Sequence, residues 1–211
     1  HVHCFFMSDP DYTEHHLQVL WGATHMLPPL AILHWPWSWW RNDYGPSQLN
    51  WMNVDIETFD VMMRAAMVHR IGVSYPLPKL PERLRERLSY HLQIFKDHIA
   101  PVLPTATLLS LTDSPFRGNR GERNSAWQLT SNLNSVNEVH LVMSLKLENS
   151  AQSAKFRPTQ LEANQRYVVV DLETHNSSTV LGKELTGELL SEIAGNKNSW
   201  IVEIRPEKAR L

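Results

Sequence analysis

An apolar run, "VHCFFM", ends in Ser8-Asp9-Pro10-Asp11, and a helix-like pattern begins at once. A carboxylate at such a junction has two chemistries open to it. Asp9 can cap the helix, its oxygens accepting the free N–H groups of the first turn. It can also serve as a general acid/base if it stands at the C-terminal end of a parallel strand, the edge at which α/β barrels carry their active sites. The two roles pull its proton affinity in opposite directions. N–H donors hold a carboxylate ionised, whereas a general acid must keep its proton near neutral pH. Both roles are compatible only if a second carboxylate nearby raises the pKa again.

Two other groups of residues invite chemistry. His1, His3, Cys4, Asp9, His15 and His16 lie close together in a chain of eleven histidines. They show no HExxH, no CxxC and no zinc-type spacing, so they read as rim and surface residues and no metal is expected. Four of the eight tryptophans, Trp35, Trp37, Trp39 and Trp40, stand in "WPWSWW". Indole faces pack against the apolar C–H faces of sugar rings, so this cluster can line a carbohydrate site. The competing reading is packing at a barrel end or between domains. There is no Gly-rich phosphate loop and no GxSxG, and Arg83 to Arg87 reads as the solvated face of a helix.

The elements that must position these residues follow from periodicity. "VHCFFM", "LAILHWPW" and "RIGVSYP" read as short buried strands. A helix is predicted after each. The first carries Leu17, Val19, Leu20 and Ala23 and is stopped by Pro28-Pro29. The second spans 56–69. The third spans 81–99, with Leu84, Leu88, Leu92, Phe95 and Ile99 in one stripe. This alternation predicts parallel strands with helices outside. After Pro101–Pro104 the period becomes two. Val139, Leu141, Met143, Leu145 and Leu147 alternate with mostly polar residues, and "RYVVVDLET" and "SWIVEIRPE" read as further strands. "GKELTGELLSEIA" reads as a short helix. The class is therefore α/β plus all-β, with an antiparallel sandwich as the second part.

Composition excludes more than it proves. With 211 residues, 42% hydrophobic and net charge -2, the chain can bury a sizeable core and shows no basic surface for nucleic acid or an anionic membrane. No apolar run reaches the ~18 residues of a membrane span. One cysteine, Cys4, forms no internal disulfide. Residues 1–7 carry no signal-peptide pattern, and localisation stays open. A chain that opens with His inside an apolar segment is expected to be a piece of something longer.

"SDPDYTEHHLQVLWG" resembles the acid/base segment of glycoside hydrolase family 36, the alpha-galactosidase or melibiase family, which typically reads W-x-S-D-x-T-D before a helix. "LPPLAILHWPWSWW" resembles that family's next barrel strand. "RIGVSYPLPKLPERLRERLSYHLQIFKDHIAPVL" resembles the last strand and helix, and "LTDSPFRGNRGERNSAWQL" the entry to the C-terminal β domain. The likeness spans essentially the whole chain but only the last part of a family member. It implies the C-terminal part of a (β/α)8 TIM-type barrel over 1–103 and an antiparallel β-sandwich over 104–211. It further implies retaining hydrolysis of terminal alpha-linked galactose, with Asp9 as general acid/base. Asp11, Trp35 and Trp37 become candidate substrate-binding residues. No metal or other cofactor is called for. The expected partner is an alpha-galactoside or related oligosaccharide, and an oligomer is compatible with the likeness.

The motif departs from the family at Tyr12, where its second Asp falls, with Asp11 one place early, and at His16 and Leu20. The family's nucleophile, an Asp in a Lys-x-Asp strand, has no match here, nor does its Cys-x-Gly-Gly-Gly-Arg sugar-binding segment. Both are expected before residue 1, so the chain alone is expected to be inactive. Two other readings stay open: a transglycosylase of the raffinose-synthase type on the same scaffold, and a non-catalytic carbohydrate-binding relative.

Overall fold

The computed structural model describes residues 4–6, 13–36, 53–74, 76–115, 124–132, 138–146 and 155–208. The first half alternates strand and helix. Strands β1 (Phe5–Phe6), β2 (Ile32–His34) and β3 (Arg70–Ile71) form one sheet in that order, and both pairings are parallel. Helices α1 (Thr13–Thr24), α2 (Ile56–Ala66) and α3 (Glu82–Ile94) follow the three strands in turn. Among the described residues this sheet has three strands and does not close on itself as a barrel.

Local chemistry explains the helices. On α1 the buried residues are Leu17, Leu20 and Ala23, one face at helical spacing, whereas Val19, expected on that face, is only half-buried. Asp55 caps α2: its Oδ1 accepts the Thr58 N–H at 2.8 Å, and that bond is the largest influence holding its carboxyl below the usual range. From Phe59 to Ala66 every residue of α2 is buried, so this helix is enclosed on all sides. α3 follows Pro81 and continues into a five-residue π turn, Phe95–Ile99. Its buried positions are Leu84, Leu88, His91 and Ile94, with Ile99 in the π turn, while Leu92 and Phe95 are only half-buried. The predicted stripe is therefore displaced. Leu84 and Leu88 pack on Phe59, Met62 and Met63 of α2, whereas Ile94 and Ile99 join a second core under the other sheet. One straight stripe cannot serve two partners.

The second half is one antiparallel sheet. Its strands are β4 (Thr107–Ser110), β5 (Asn124–Asn132), β6 (Glu138–Lys146), β7 (Arg166–Asp171), β8 (Ser177–Leu181) and β9 (Ser199–Pro206), in the order β4-β5-β6-β9-β7-β8. Val139, Leu141, Met143 and Leu145 of β6 lie in one core with Trp127, Leu129 and Ile201 and with Leu17, Leu20, Val61 and Ile94 of the helices. Leu147 lies outside the described residues.

The expected sandwich is corrected here. Among the described residues no second sheet covers the six strands. The opposite face, with Ala126, Val142, Tyr167, Val169, Trp200, Val202 and Ile204, is covered by helix α4 (Gly187–Ile193) and by Phe156 and Leu185. A period-two pattern shows that a strand has an apolar face, but not whether a sheet or a helix lies on it.

The polar alternate residues are also enclosed. Gln128, Thr130 and His140 are buried. The Gln128 side chain exchanges two hydrogen bonds with the backbone of Thr159, at 2.8 and 2.9 Å. This pins an irregular segment across the sheet, as buried amides require partners. No helix among the described residues is long and apolar enough to cross a membrane.

Candidate functional site

Three parallel strands end on one edge. Phe6 closes β1, Trp35 follows β2 and Gly72 follows β3. The rings of Phe6 and Trp35 stack with centroids 3.8 Å apart and planes at 23°. The Gly72 N–H donates to His34 O at 2.9 Å, carrying the pairing one residue past β3. A Cβ on residue 72 would stand 3.1 Å from Trp35 Cε3, so glycine lets the indole lie across this strand end. Phe5 and Phe6 stay 43% and 45% exposed, an aromatic shelf at the edge where barrel enzymes do chemistry. Of the sequence-predicted site residues, Trp35 stands on this shelf, half-buried. Asp9, Asp11 and Trp37 lie outside the described residues. Phe6 was not singled out from the sequence, although it lies in the apolar run that leads to Asp9.

Close to the shelf, His34 and His69 are fully buried with ring centroids 6.5 Å apart. Burial, and then repulsion from His34, push His69 down to about 3, so it is neutral at physiological pH and a poor base. Among the described residues no three His, Cys, Asp or Glu side chains converge on a position that a metal ion would occupy. His1, His3 and Asp9 lie outside them.

A second cluster was not anticipated. Asp60 and Arg64 sit one turn apart on the enclosed α2, and the Arg87 guanidinium forks onto both oxygens of Asp60. Arg87 also donates to Glu173, in the turn after β7. Arg64 donates to the Ser199 carbonyl at 2.6 Å and to Glu173 Oε2 at 2.8 Å, and Lys197 donates to the same Oε2 at 2.8 Å. His91 completes the set, its Nε2 2.8 Å from Asp60 Oδ1.

Burial works against ionising Asp60, but the His91 and Arg87 hydrogen bonds and the Arg64 charge outweigh it and hold the carboxyl at about 2. Burial opposes ionisation of Glu173 as well, and Lys197, Arg64 and Arg87 hold it at about 2. Burial lowers His91 to about 4 against the pull of Asp60, so a neutral imidazole donates through Nε2. Neither carboxyl keeps a proton near neutral pH, which excludes both as general acids there. The cluster is a clamp between helices and sheet. Arg87 is 18% exposed at its side chain, which corrects its reading as solvated. Arg83, Arg85 and Glu86 do face water. The available signal was a pair of opposite charges inside the otherwise apolar "FDVMMRAA".

No protein-family model matches the chain, and no curated protein matches it significantly. Solved structures do. The alpha-galactosidase from Lactobacillus brevis superposes with a TM-score of 0.68 at 14% identity, covering 97% of this chain and 26% of that one. The galactosidase domain of an alpha-galactosidase–sucrose kinase gives 0.66 at 13%, covering 95% and 25%. The family-36 alpha-galactosidase AgaA from Geobacillus stearothermophilus gives 0.64 at 17%, covering 95% and 25%. The chain thus spans about a quarter of the length of the structures it matches. At these identities the likeness speaks for fold: a mixed α/β chain, with a parallel and an antiparallel sheet, resembling parts of family-36 alpha-galactosidase structures.

Proposed function

We propose that these residues are the C-terminal share of a retaining alpha-glycosidase that releases terminal alpha-linked galactose. On this reading residues 1–103 supply the last βα units of a (β/α)8 barrel, and 104–211 supply the appended antiparallel domain. The observation that carries it is the superposition over 97% of the chain on an alpha-galactosidase, with a TM-score of 0.68. The shelf of Phe6 and Trp35 supports it, because stacked aromatic rings at a strand-end edge suit the C–H face of a sugar.

Asp9 follows Phe6, the last described residue of β1, by three positions. It is the proposed acid/base. It protonates the glycosidic oxygen as the aglycone leaves and a second carboxylate attacks the anomeric carbon. It then removes a proton from the water that releases the sugar. The second carboxylate is unmatched in this chain and on this reading comes from polypeptide upstream. Asp11, Trp35 and Trp37 are proposed to contact the substrate.

The test is hydrolysis of an aryl alpha-galactoside by the full-length protein, followed by proton NMR. Release of alpha-galactose as the first anomer agrees with the reading. Beta-galactose first, or no turnover, overturns it. Predominant transfer to an added acceptor sugar assigns the transglycosylase reading instead.

A further inference from the structure

An acid, a base and a hydroxyl stand in line on the sheet face that α4 covers, independent of the glycosidase reading. Glu138 and His140 are two residues apart on β6 and share that face, and Thr130 of β5 is the cross-strand partner of His140. Glu138 Oε1 lies 2.6 Å from His140 Nε2, and Thr130 Oγ1 lies 3.1 Å from His140 Nδ1. A carboxylate only accepts, so Nε2 carries the imidazole proton and donates it to Glu138. Nδ1 is left bare and accepts from the Thr130 hydroxyl. Burial lowers the His140 pKa against the upward pull of Glu138, so the ring is neutral and can take up a proton. This is the arrangement that nucleophilic catalysis requires: a hydroxyl in reach of a base, and the base oriented by a third group.

Gln128, on the same face, adds a fixed donor. Its Oε1 accepts the Thr159 N–H at 2.9 Å and its Nε2 donates to Thr159 O at 2.8 Å. The amide is thereby locked with its other N–H toward Thr130 Oγ1 at 2.9 Å and His140 Nδ1 at 3.1 Å. A donor held beside the attacking oxygen can stabilise the negative charge that forms as a carbonyl is attacked. Thr130 also lines a cavity of about 530 Å³, together with Thr105, Thr107, Gln160, Leu161 and Glu162. That volume lies within the ~300–1,000 Å³ of small-molecule sites. Among the described lining residues the only charge is the Glu162 carboxylate, so hydroxyls and an amide meet the ligand and an anion is disfavoured.

We propose that Thr130, His140 and Glu138 form an esterase site for a short acyl ester, such as an acetate, of a sugar or another neutral polyol. Thr130 Oγ1 bonds to the ester carbonyl carbon as His140 Nδ1 takes its proton. The bond from that carbon to the alcohol oxygen breaks, and the alcohol leaves with the proton. Water then attacks the acyl-threonine and gives a proton to His140, which passes it to Thr130 Oγ1 as the free acid departs. Gln128 donates to the oxyanion in both steps, and Glu138 is a positioning residue that holds the imidazole.

The test is turnover of p-nitrophenyl acetate and of an acetylated sugar by the full-length protein. Thr130→Val and His140→Gln should each lower kcat by about 100-fold or more, whereas Thr130→Ser, which keeps the hydroxyl, should stay within about ten-fold. Glu138→Gln should lower kcat by about ten-fold or more and move the acid limb of the pH profile to lower pH, because the charge that raises the His140 pKa is gone. An activated ester acylates faster than water deacylates, so acid quench of the unsubstituted protein should trap an acetyl group on Thr130, read by peptide mass spectrometry. The proposal is overturned by no turnover of either ester, by an unchanged rate in Thr130→Val, or by the absence of acetyl on Thr130. An unmoved pH profile in Glu138→Gln overturns the role of Glu138.

Discussion

At the seam between α2, α3 and the antiparallel sheet, Asp60 and Glu173 are held by Arg64, Arg87, Lys197 and His91. At the end of the parallel strands, Phe5 and Phe6 remain nearly half exposed beside Trp35. Both regions gather residue types common in active sites. The difference lies in what is left over. The seam consumes its own hydrogen-bonding capacity and holds its carboxyls ionised, so it supplies mechanical attachment. The shelf keeps apolar faces in water, which costs roughly 25 cal/mol per Å² and is maintained where something else covers them. Charge density alone points to the seam; residual unsatisfied surface points to the shelf.

The largest effect that can break this contrast falls on Asp9. In the full-length protein, Asp9→Asn should keep the fold, since Asn caps a helix about as well. The rate for substrates with poor leaving groups should drop by roughly 10²–10⁴. Added azide, which needs no base, should restore turnover of an activated aryl glycoside as an alpha-glycosyl azide. Rescue in Asp11→Asn but not in Asp9→Asn would move the role to Asp11. An unchanged rate in both would leave Asp9 a helix cap.

Next in size is Arg64→Met at the seam. It strands Asp60 and Glu173 with less positive charge and removes the tie to Ser199, and the expected loss is about 3–5 kcal/mol of unfolding free energy. Urea denaturation checks it. A loss under about 1 kcal/mol would mean that the clamp contributes little to attachment.

Acidification should separate the regions more gently. Asp60 and Glu173 stand at about 2 in the folded chain, below the ordinary carboxylate range, so their contribution is complete above pH ~4 and fades as pH falls toward 2. His69 and His91, at about 3 and about 4, lie below the ordinary ~6.5. The unfolded chain takes up those protons first, so stability is complete above pH ~6.5 and falls from there. Urea midpoints should already decline between pH 7 and 5, and His69→Phe should remove about 1–2 kcal/mol of that decline. A decline of the same size in the variant would show that His69 is not held neutral.

The smallest expected effect is Gly72→Ala. Its Cβ would press on Trp35 Cε3 at 3.1 Å, so the indole must shift by a few tenths of an ångström, at a cost of about 1 kcal/mol or less. Chemical shifts of the Phe6 and Trp35 rings should move while those of the seam stay fixed. Movement at the seam would show that the two regions are coupled.

Much of the architecture was legible in particular residues. Leu17, Leu20 and Ala23 at helical spacing, and Val139, Leu141, Met143 and Leu145 at alternate positions, each became a buried face. These periods are properties of a few consecutive residues, so a sequence carries them locally. The third helix was legible up to the point where Leu92 and Phe95 yielded buried positions to His91 and Ile94, because the helix meets two cores in succession. Of the candidate site, Trp35 at a strand end was readable from "LAILHWPW"; its stacking on Phe6 was not.

By itself, then, the sequence determined the strand–helix alternation of the first half, the strands β6, β7 and β9 with helix α4, and the change of period near residue 104, but not β4, β5 or β8. It also carried the motif resemblance that singles out Asp9. The tertiary structure alone decided that the six antiparallel strands form one sheet covered by helices on one face and by α4 and Phe156 on the other. It alone decided that Arg87 is a clamp and not a solvated charge. Arg64 and Ser199 are 135 residues apart, and Arg87 and Glu173 are 86 apart. Whether a charge is buried, and which partner compensates it, depends on groups brought together only by the packing of distant elements, and local periodicity carries no information about them.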